Sequence, residues 1–124
     1  MSRGARPALS VLVVDDDEDF AESLALVIED EGHTVTVANT LSECVATYGR
    51  RRFDLVMLDV RLRGESGVDC LEALRAVDPD VCAVMMTGYS VESVLQRALR
   101  MGARRVLRKP FGEGELMEVL ASVS

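Results

Sequence analysis

The stretch VLVVDDDEDF, residues 11–20, decides the fold: four apolar residues run without a break into three consecutive aspartates. An unbroken apolar run of that length reads as a strand covered on both faces. The acids stand where such a strand ends, and Phe20, Leu24, Val27 and Ile28 then follow at helical spacing. Strand, acidic turn and amphipathic helix make the first half of a βαβ unit, and the same alternation recurs down the chain. Further strands are expected at residues 34–38, 55–58, 81–86 and 104–108. Between and after them lie helical stripes at Leu41, Cys44, Val45 and Tyr48 and at Leu116, Val119, Leu120 and Val123, with two more helices over 66–77 and 90–101. Five strands alternating with five helices predict a doubly wound (βα)5 domain with a parallel sheet.

The strands differ in exposure. The first, third and fourth are continuous apolar runs and belong in the middle of the sheet. The second alternates polar with apolar, and the fifth carries Arg104, Arg105 and Arg108, so both read as edges. With right-handed crossovers the simplest strand order is 2-1-3-4-5, the flavodoxin-like arrangement. Gly32 and Gly102 stand where left-handed helix caps are wanted, and Thr40 with Glu43 has the spacing of a capping box.

A chain of 124 residues supports one core, and the short basic stretch 1–9 is expected to be a disordered tail ahead of a domain over 10–124. Acidic residues outnumber basic ones by 21 to 14, which gives no electrostatic support for direct nucleic-acid binding. No apolar run approaches the ~20 residues that cross a bilayer, and the opening residues lack a signal-peptide core, so the expected location is the cytoplasm. Cys44, Cys70 and Cys82 lack metal-site or redox-motif spacing and read as small buried hydrophobes.

In open α/β sheets, ligands bind beyond the carboxyl ends of the strands where the winding reverses, here between the first and third strands. The first runs into Asp15, Asp16 and Asp17, and the third ends on Asp59. Carboxylates this close repel one another, and a hard divalent cation with oxygen ligands relieves the repulsion. Mg²⁺ is the natural choice, with Mn²⁺ as the alternative. The fourth strand ends at Thr87 and the fifth at Lys109, adding a hydroxyl and an ammonium to the same edge. Together these groups suit phosphoryl transfer to a carboxylate: an acid as nucleophile, cations to neutralise the phosphoryl oxygens, and a hydroxyl to donate one hydrogen bond. Each strand end taken alone is ordinary turn or cap chemistry. Their agreement at four strand ends is what favours a site. Glu18 and Asp19 read as favourable helix N-terminal charges, His33 as a surface residue, and Arg50, Arg51 and Arg52 as a solvated basic helix end.

The strings VLVVDDDEDF, DLVMLDVRLRGESG, MMTGYS and LRKPF, in this order and spacing, resemble the signature stretches of the receiver family of bacterial response regulators, the CheY-like superfamily. The resemblance covers the chain from Ser10 onward. It implies a phosphoacceptor switch of a two-component phosphorelay, catalysing no more than its own phosphorylation and dephosphorylation. In that reading Asp59 takes a phosphoryl group from a sensor histidine kinase or phosphotransfer protein. Asp16, Asp59 and the backbone carbonyl of Arg61 bind the metal, and Asp15 helps through water. Thr87 and Lys109 contact the phosphoryl group, with a cis peptide between Lys109 and Pro110. The resemblance further implies a downstream output protein or domain, and a monomer or a weak phosphorylation-dependent homodimer. Thr87, Tyr89 and Val106 are its switch positions.

Two departures stand out. Leu62-Arg63-Gly64 replaces the family's usual Leu-Pro-Gly, and the loss of proline's rigidity is expected to loosen that loop. Val106 occupies a position that is commonly aromatic. Two other functions compete. A Mg²⁺-dependent phosphatase with an aspartate nucleophile fits the Asp15 and Asp17 spacing, but Asp19 stands where it wants a small residue and there is no room for its usual cap domain. A non-phosphorylated receiver-like interaction module needs none of the acid, threonine and lysine set.

Overall fold

The apolar runs become one parallel sheet of five strands: β1 (Ser10–Val14), β2 (Thr34–Ala38), β3 (Leu55–Asp59), β6 (Ala83–Thr87) and β7 (Arg105–Arg108). The remaining two strands, β4 (Arg61–Leu62) and β5 (Glu65–Ser66), form a small antiparallel hairpin directly after β3. The helices are α1 (Glu18–Asp30), α2 (Leu41–Arg50), α3 (Gly67–Val77), α4 (Glu92–Arg100) and α5 (Glu113–Val123). The computed structural model describes residues 8–88 and 92–123. Most of the expected tail, Tyr89, and the first residues of the expected fourth helix lie outside them. The sheet order is β2-β1-β3-β6-β7, the 2-1-3-4-5 order expected, with the hairpin inserted in the numbering.

Alternation along the strands sends side chains to two separate cores. Leu12, Val14, Val56, Leu58, Ala83 and Met85 face α2, α3 and α4. Val11, Val13, Leu55, Met57, Val84 and Met86 face α1 and α5. β1, β3 and β6 are almost wholly buried, whereas most of β2 and half of β7 are only partly so, as their patterns predicted. Each fully buried leucine, such as Leu71 or Leu74 of α3, contributes about 1.5–3 kcal/mol relative to exposure. Gly32 and Gly102 have φ of +97° and +98° just past α1 and α4, the cap conformation expected of them.

Several details differ from the sequence expectation. β6 begins at Ala83 and not at residue 81, because the Val81 N–H is still bonded to Asp78 O in a turn. Thr40 caps α2 by accepting from Glu43 N, but Glu43 reaches back to Asn39 N and not to the cap residue itself. His33 is half-buried and structural: its Nδ1 accepts from Leu9 N at 2.9 Å and ties the entrance of β1 to that of β2. The arginines after α2 are also engaged, Arg51 over the Phe53 ring and Arg52 with Asp78 at 3.1 Å. Cys44 and Cys70 are buried in contact, but Cys82 is only partly covered.

The seam between α2 and the end of α3 is closed by a polar pair. Tyr48, 1% exposed, donates its hydroxyl to Asp78 Oδ2 at 2.5 Å. That bond is the chief reason the Asp78 carboxyl lies below the usual carboxylate range; burial opposes it, and the Asp80 amide and Arg52 assist. A depressed folded-state pKa contributes stability that is present above the unfolded value of about 4 and is lost as pH falls through the folded value. Tyr48→Phe should therefore be less stable than wild type at pH 7, and the difference in urea midpoint should shrink below about pH 4. A difference that does not change with pH would count against this role of the pair.

Candidate functional site

The parallel register carries the chemistry to one edge. Val14 pairs with Leu58, so the next residues, Asp15 and Asp59, emerge side by side at the carboxyl ends of β1 and β3. Asp59 pairs with Met86, and Thr87 with Arg108, which brings Thr87 and Lys109 to the same end of the sheet. The Lys109–Pro110 peptide is cis.

Lys109 Nζ lies between the two acids, 2.6 Å from Asp15 Oδ2 and 2.7 Å from Asp59 Oδ2. The other oxygens accept main-chain N–H groups: Asp15 Oδ1 from Asp17, and Asp59 Oδ1 from Arg61, each at 2.9 Å. Burial pushes the Asp15 carboxyl above its ordinary pKa; Lys109 and the Asp17 amide oppose the shift, and the charge of Asp59 adds to it. Burial also disfavours the charge on Lys109, but its bonds to Asp15 and Asp59 outweigh this and leave its pKa raised. The ammonium is an ammonium at neutral pH. Beneath it lies the Phe20 ring, with Nζ 4.2 Å from the centroid, itself steadied by an edge contact with Phe111 at 6.0 Å. Phe20 read in the sequence only as part of a helical stripe, because nothing local marks its contact with Lys109. Asn39, whose Nδ2 donates to the Asp15 carbonyl, was equally unmarked.

Asp16 is half-buried beside this pair, and Asp17 caps α1 by accepting from Phe20 N. One oxygen each of Asp15, Asp16 and Asp59 lies within 4.8 Å of the others. An all-oxygen donor set at that spacing fits a small hard divalent cation. These residues, with Asp17, Arg61, Arg63, Gly64, Gly88 and Lys109, line an open cavity of about 400 Å³. Thr87, 2% exposed, lines an adjoining cavity of about 390 Å³ that shares Arg61 and Gly64 with the first. Tyr89 falls outside the described residues. Val106 is half-buried and packs against the core that faces α2, α3 and α4. The loop after Asp59 is closed by the β4–β5 pairing, and Arg63 N donates to Asp16 Oδ2 at 2.7 Å.

The residue that seats α3 on the acidic strand end is Gly67. Its N–H donates to Val60 O at 2.7 Å, and a Cβ at this position would stand only 1.9 Å from the carbonyl oxygen of Asp59. That obstacle is backbone and cannot swing away. Gly67→Ala should cost about 1–3 kcal/mol through overpacking, read from chemical denaturation. Gly49→Ala, in α2 with open space around it, should instead stabilise by roughly 0.5–1 kcal/mol. Equal effects at the two glycines would refute the close-contact argument.

Comparison with known proteins agrees with this fold. The family model for the response regulator receiver domain matches residues 11–121. A response regulator receiver protein from Anaeromyxobacter sp. is 34% identical over 108 residues, which cover 87% of this chain and 45% of that protein. The chain spans about half the length of the curated relatives it matches. Among solved structures, a CheY-like receiver domain protein from Methanospirillum hungatei superposes with a TM-score of 0.89 at 28% identity, covering 94% of this chain and 93% of that one. A response regulator from Burkholderia pseudomallei, solved with a phosphorylated aspartic acid, calcium ion and citrate, superposes with a TM-score of 0.83 at 30% identity, covering 93% and 66%. A receiver sheet order, acids on the two central strand ends and a matching family model over nearly the whole chain lead to one conclusion: this chain belongs to the response regulator receiver family of two-component signalling.

Proposed function

We propose that the receiver unit, residues 10–124, is a phosphoacceptor switch in which Asp59 accepts a phosphoryl group from a histidine kinase or phosphotransfer protein in the cytoplasm. The observation that carries this reading is the Lys109 ammonium held between Asp15 and Asp59 at the edge of an open acidic cavity. A carboxylate with no cation beside it would repel an incoming phosphoryl group. Here the ammonium already stands where negative charge will accumulate.

Asp16, Asp59 and the Arg61 carbonyl would hold Mg²⁺, or Mn²⁺ in its place, and Asp15 would act through water. When bound, the cation neutralises charge on the transferring phosphoryl oxygens. The protein's own residues do the rest. The Arg61 N–H fixes one oxygen of Asp59 and Lys109 the other, so the carboxylate is oriented before the donor arrives. In the transfer, a bond forms between a carboxylate oxygen and phosphorus while the bond from phosphorus to the donor breaks. Lys109 then pairs with a phosphoryl oxygen, and Thr87 moves to donate its hydroxyl to another. Val106, β-branched and packed against the core, has too little volume and freedom for the aromatic movement common in the family. The change therefore passes from Thr87 toward α4, and from there to the output partner. The phosphatase alternative gains nothing from this geometry, since Asp17 is committed to capping α1.

Incubation with acetyl phosphate and Mg²⁺ should add the mass of one phosphoryl group at Asp59, and Asp59→Asn or Asp16→Ala should largely abolish it. Peptide mapping that finds the group on Asp15 or Asp17, or repeated turnover of the donor without a labelled chain, would overturn the reading.

Relief of carboxylate repulsion should also appear as stability. At ten times its dissociation constant Mg²⁺ should add about 1.4 kcal/mol by mass action. A melting temperature unmoved by millimolar Mg²⁺ would count against a cation site here.

A further inference from the structure

The hairpin after β3 has a geometry that depends on residue 63 not being proline. Arg61 pairs with Ser66 and Leu62 with Glu65, leaving Arg63-Gly64 as a two-residue turn. Both turn residues have positive φ, +44° and +83°, the combination a type I′ hairpin turn requires. Proline could not take part, because its φ is held near −65° and it has no N–H to donate. Arginine adopts this conformation at a cost, since left-handed backbone crowds its Cβ. The turn aims the Arg63 N–H across the cavity, where it donates to Asp16 Oδ2 at 2.7 Å.

That bond is what distinguishes Asp16 from its neighbours. Asp15 and Asp59 are each held by Lys109 and by a main-chain N–H. Among the described residues, the Arg63 N–H is the one hydrogen bond the Asp16 carboxylate accepts. Asp16 is also the most exposed of the three. A carboxylate offers about four lone-pair positions, so one N–H leaves the second oxygen available. With the bond made, an Asp16 oxygen already lies within 4.8 Å of oxygens of both other acids.

We propose that the main-chain N–H of Arg63 is a positioning group for Asp16, and that the Arg63-Gly64 turn thereby sets the affinity of the acidic site for a divalent cation. This rests on the reading that the three carboxylates hold such a cation. The bond is made by the main chain, so any residue that keeps the N–H and tolerates the turn keeps the bond.

The test uses Mn²⁺ as the probe, followed by electron paramagnetic resonance, together with amide hydrogen exchange on the whole chain. Arg63→Ala and Arg63→Gly should bind Mn²⁺ within about twofold of wild type, whereas Arg63→Pro should bind about tenfold more weakly, the loss expected for one hydrogen bond to a charged group. Equal affinity in the alanine and proline variants would overturn the proposal. Because proline also changes the turn, a second measurement stands apart from it. The Arg63 amide should be protected in wild type and lose protection in Asp16→Ala, while the Gly67 amide, bonded to Val60 O, keeps its own. An Arg63 amide indifferent to Asp16→Ala would equally overturn the proposal. Failure of the underlying reading looks different: wild type would then bind no Mn²⁺ at all. Phosphorylation of all three position-63 variants at saturating Mg²⁺ would show the phosphoacceptor chemistry intact whichever way the affinities fall.

Discussion

Three carboxylates and one ammonium share one end of a parallel sheet, and the rest of the site is arranged around their electrostatics. Fully ionised, Asp15, Asp16 and Asp59 carry three negative charges and Lys109 returns one positive, a local excess of two. In water such repulsion would be weak. Here Asp15 is wholly buried and Asp59 nearly so, and the repulsion and the attraction are both strengthened by the low local dielectric. The proposed cation and the proposed phosphoryl acceptor therefore draw on one set of carboxylates. Lys109 cannot neutralise the cluster alone. It does hold the two deepest acids at a common distance, so what remains unbalanced is concentrated at the cavity mouth.

Holding charges this close demands rigid surroundings. The β1–β3 register supplies the first support by making Asp15 and Asp59 neighbours across the sheet. Gly67 supplies the second, since its bare Cα lets α3 begin against the Asp59 backbone. The third is the aromatic floor of Phe20 and Phe111, which contributes an attractive face to the ammonium without offering it a competing anion. Main-chain N–H groups from Asp17, Arg61 and Arg63 complete the set, one to each carboxylate. Backbone donors suit this work because they are fixed by the turns that carry them and lose little freedom on bonding.

The α4 side of the site is built from different groups. Thr87 is buried but opens onto its own cavity, and Val106 is packed among aliphatic neighbours. The acidic cavity and the Thr87 cavity meet at Arg61 and Gly64, which line both.

Much of this was legible in the residues. The strand order followed from which apolar runs are continuous and which alternate, because burial on one or two faces writes itself into local pattern. Asp15, Asp16, Asp59, Thr87 and Lys109 could be gathered at one edge because each ends a strand and parallel strands end together. What the residues alone could not decide were contacts between segments far apart in the chain: Phe20 under Lys109, Asn39 on the Asp15 carbonyl, Gly67 on Asp59. The clearest case is residue 63. Local reasoning sees an arginine where proline is usual and expects a looser loop. Only the folded chain brings Asp16 within reach of the Arg63 N–H, 47 residues away in sequence, and so turns a lost constraint into a made hydrogen bond. Periodicity is a local property and can be read along the chain, whereas the partner of a hydrogen bond exists only once the tertiary register has placed it.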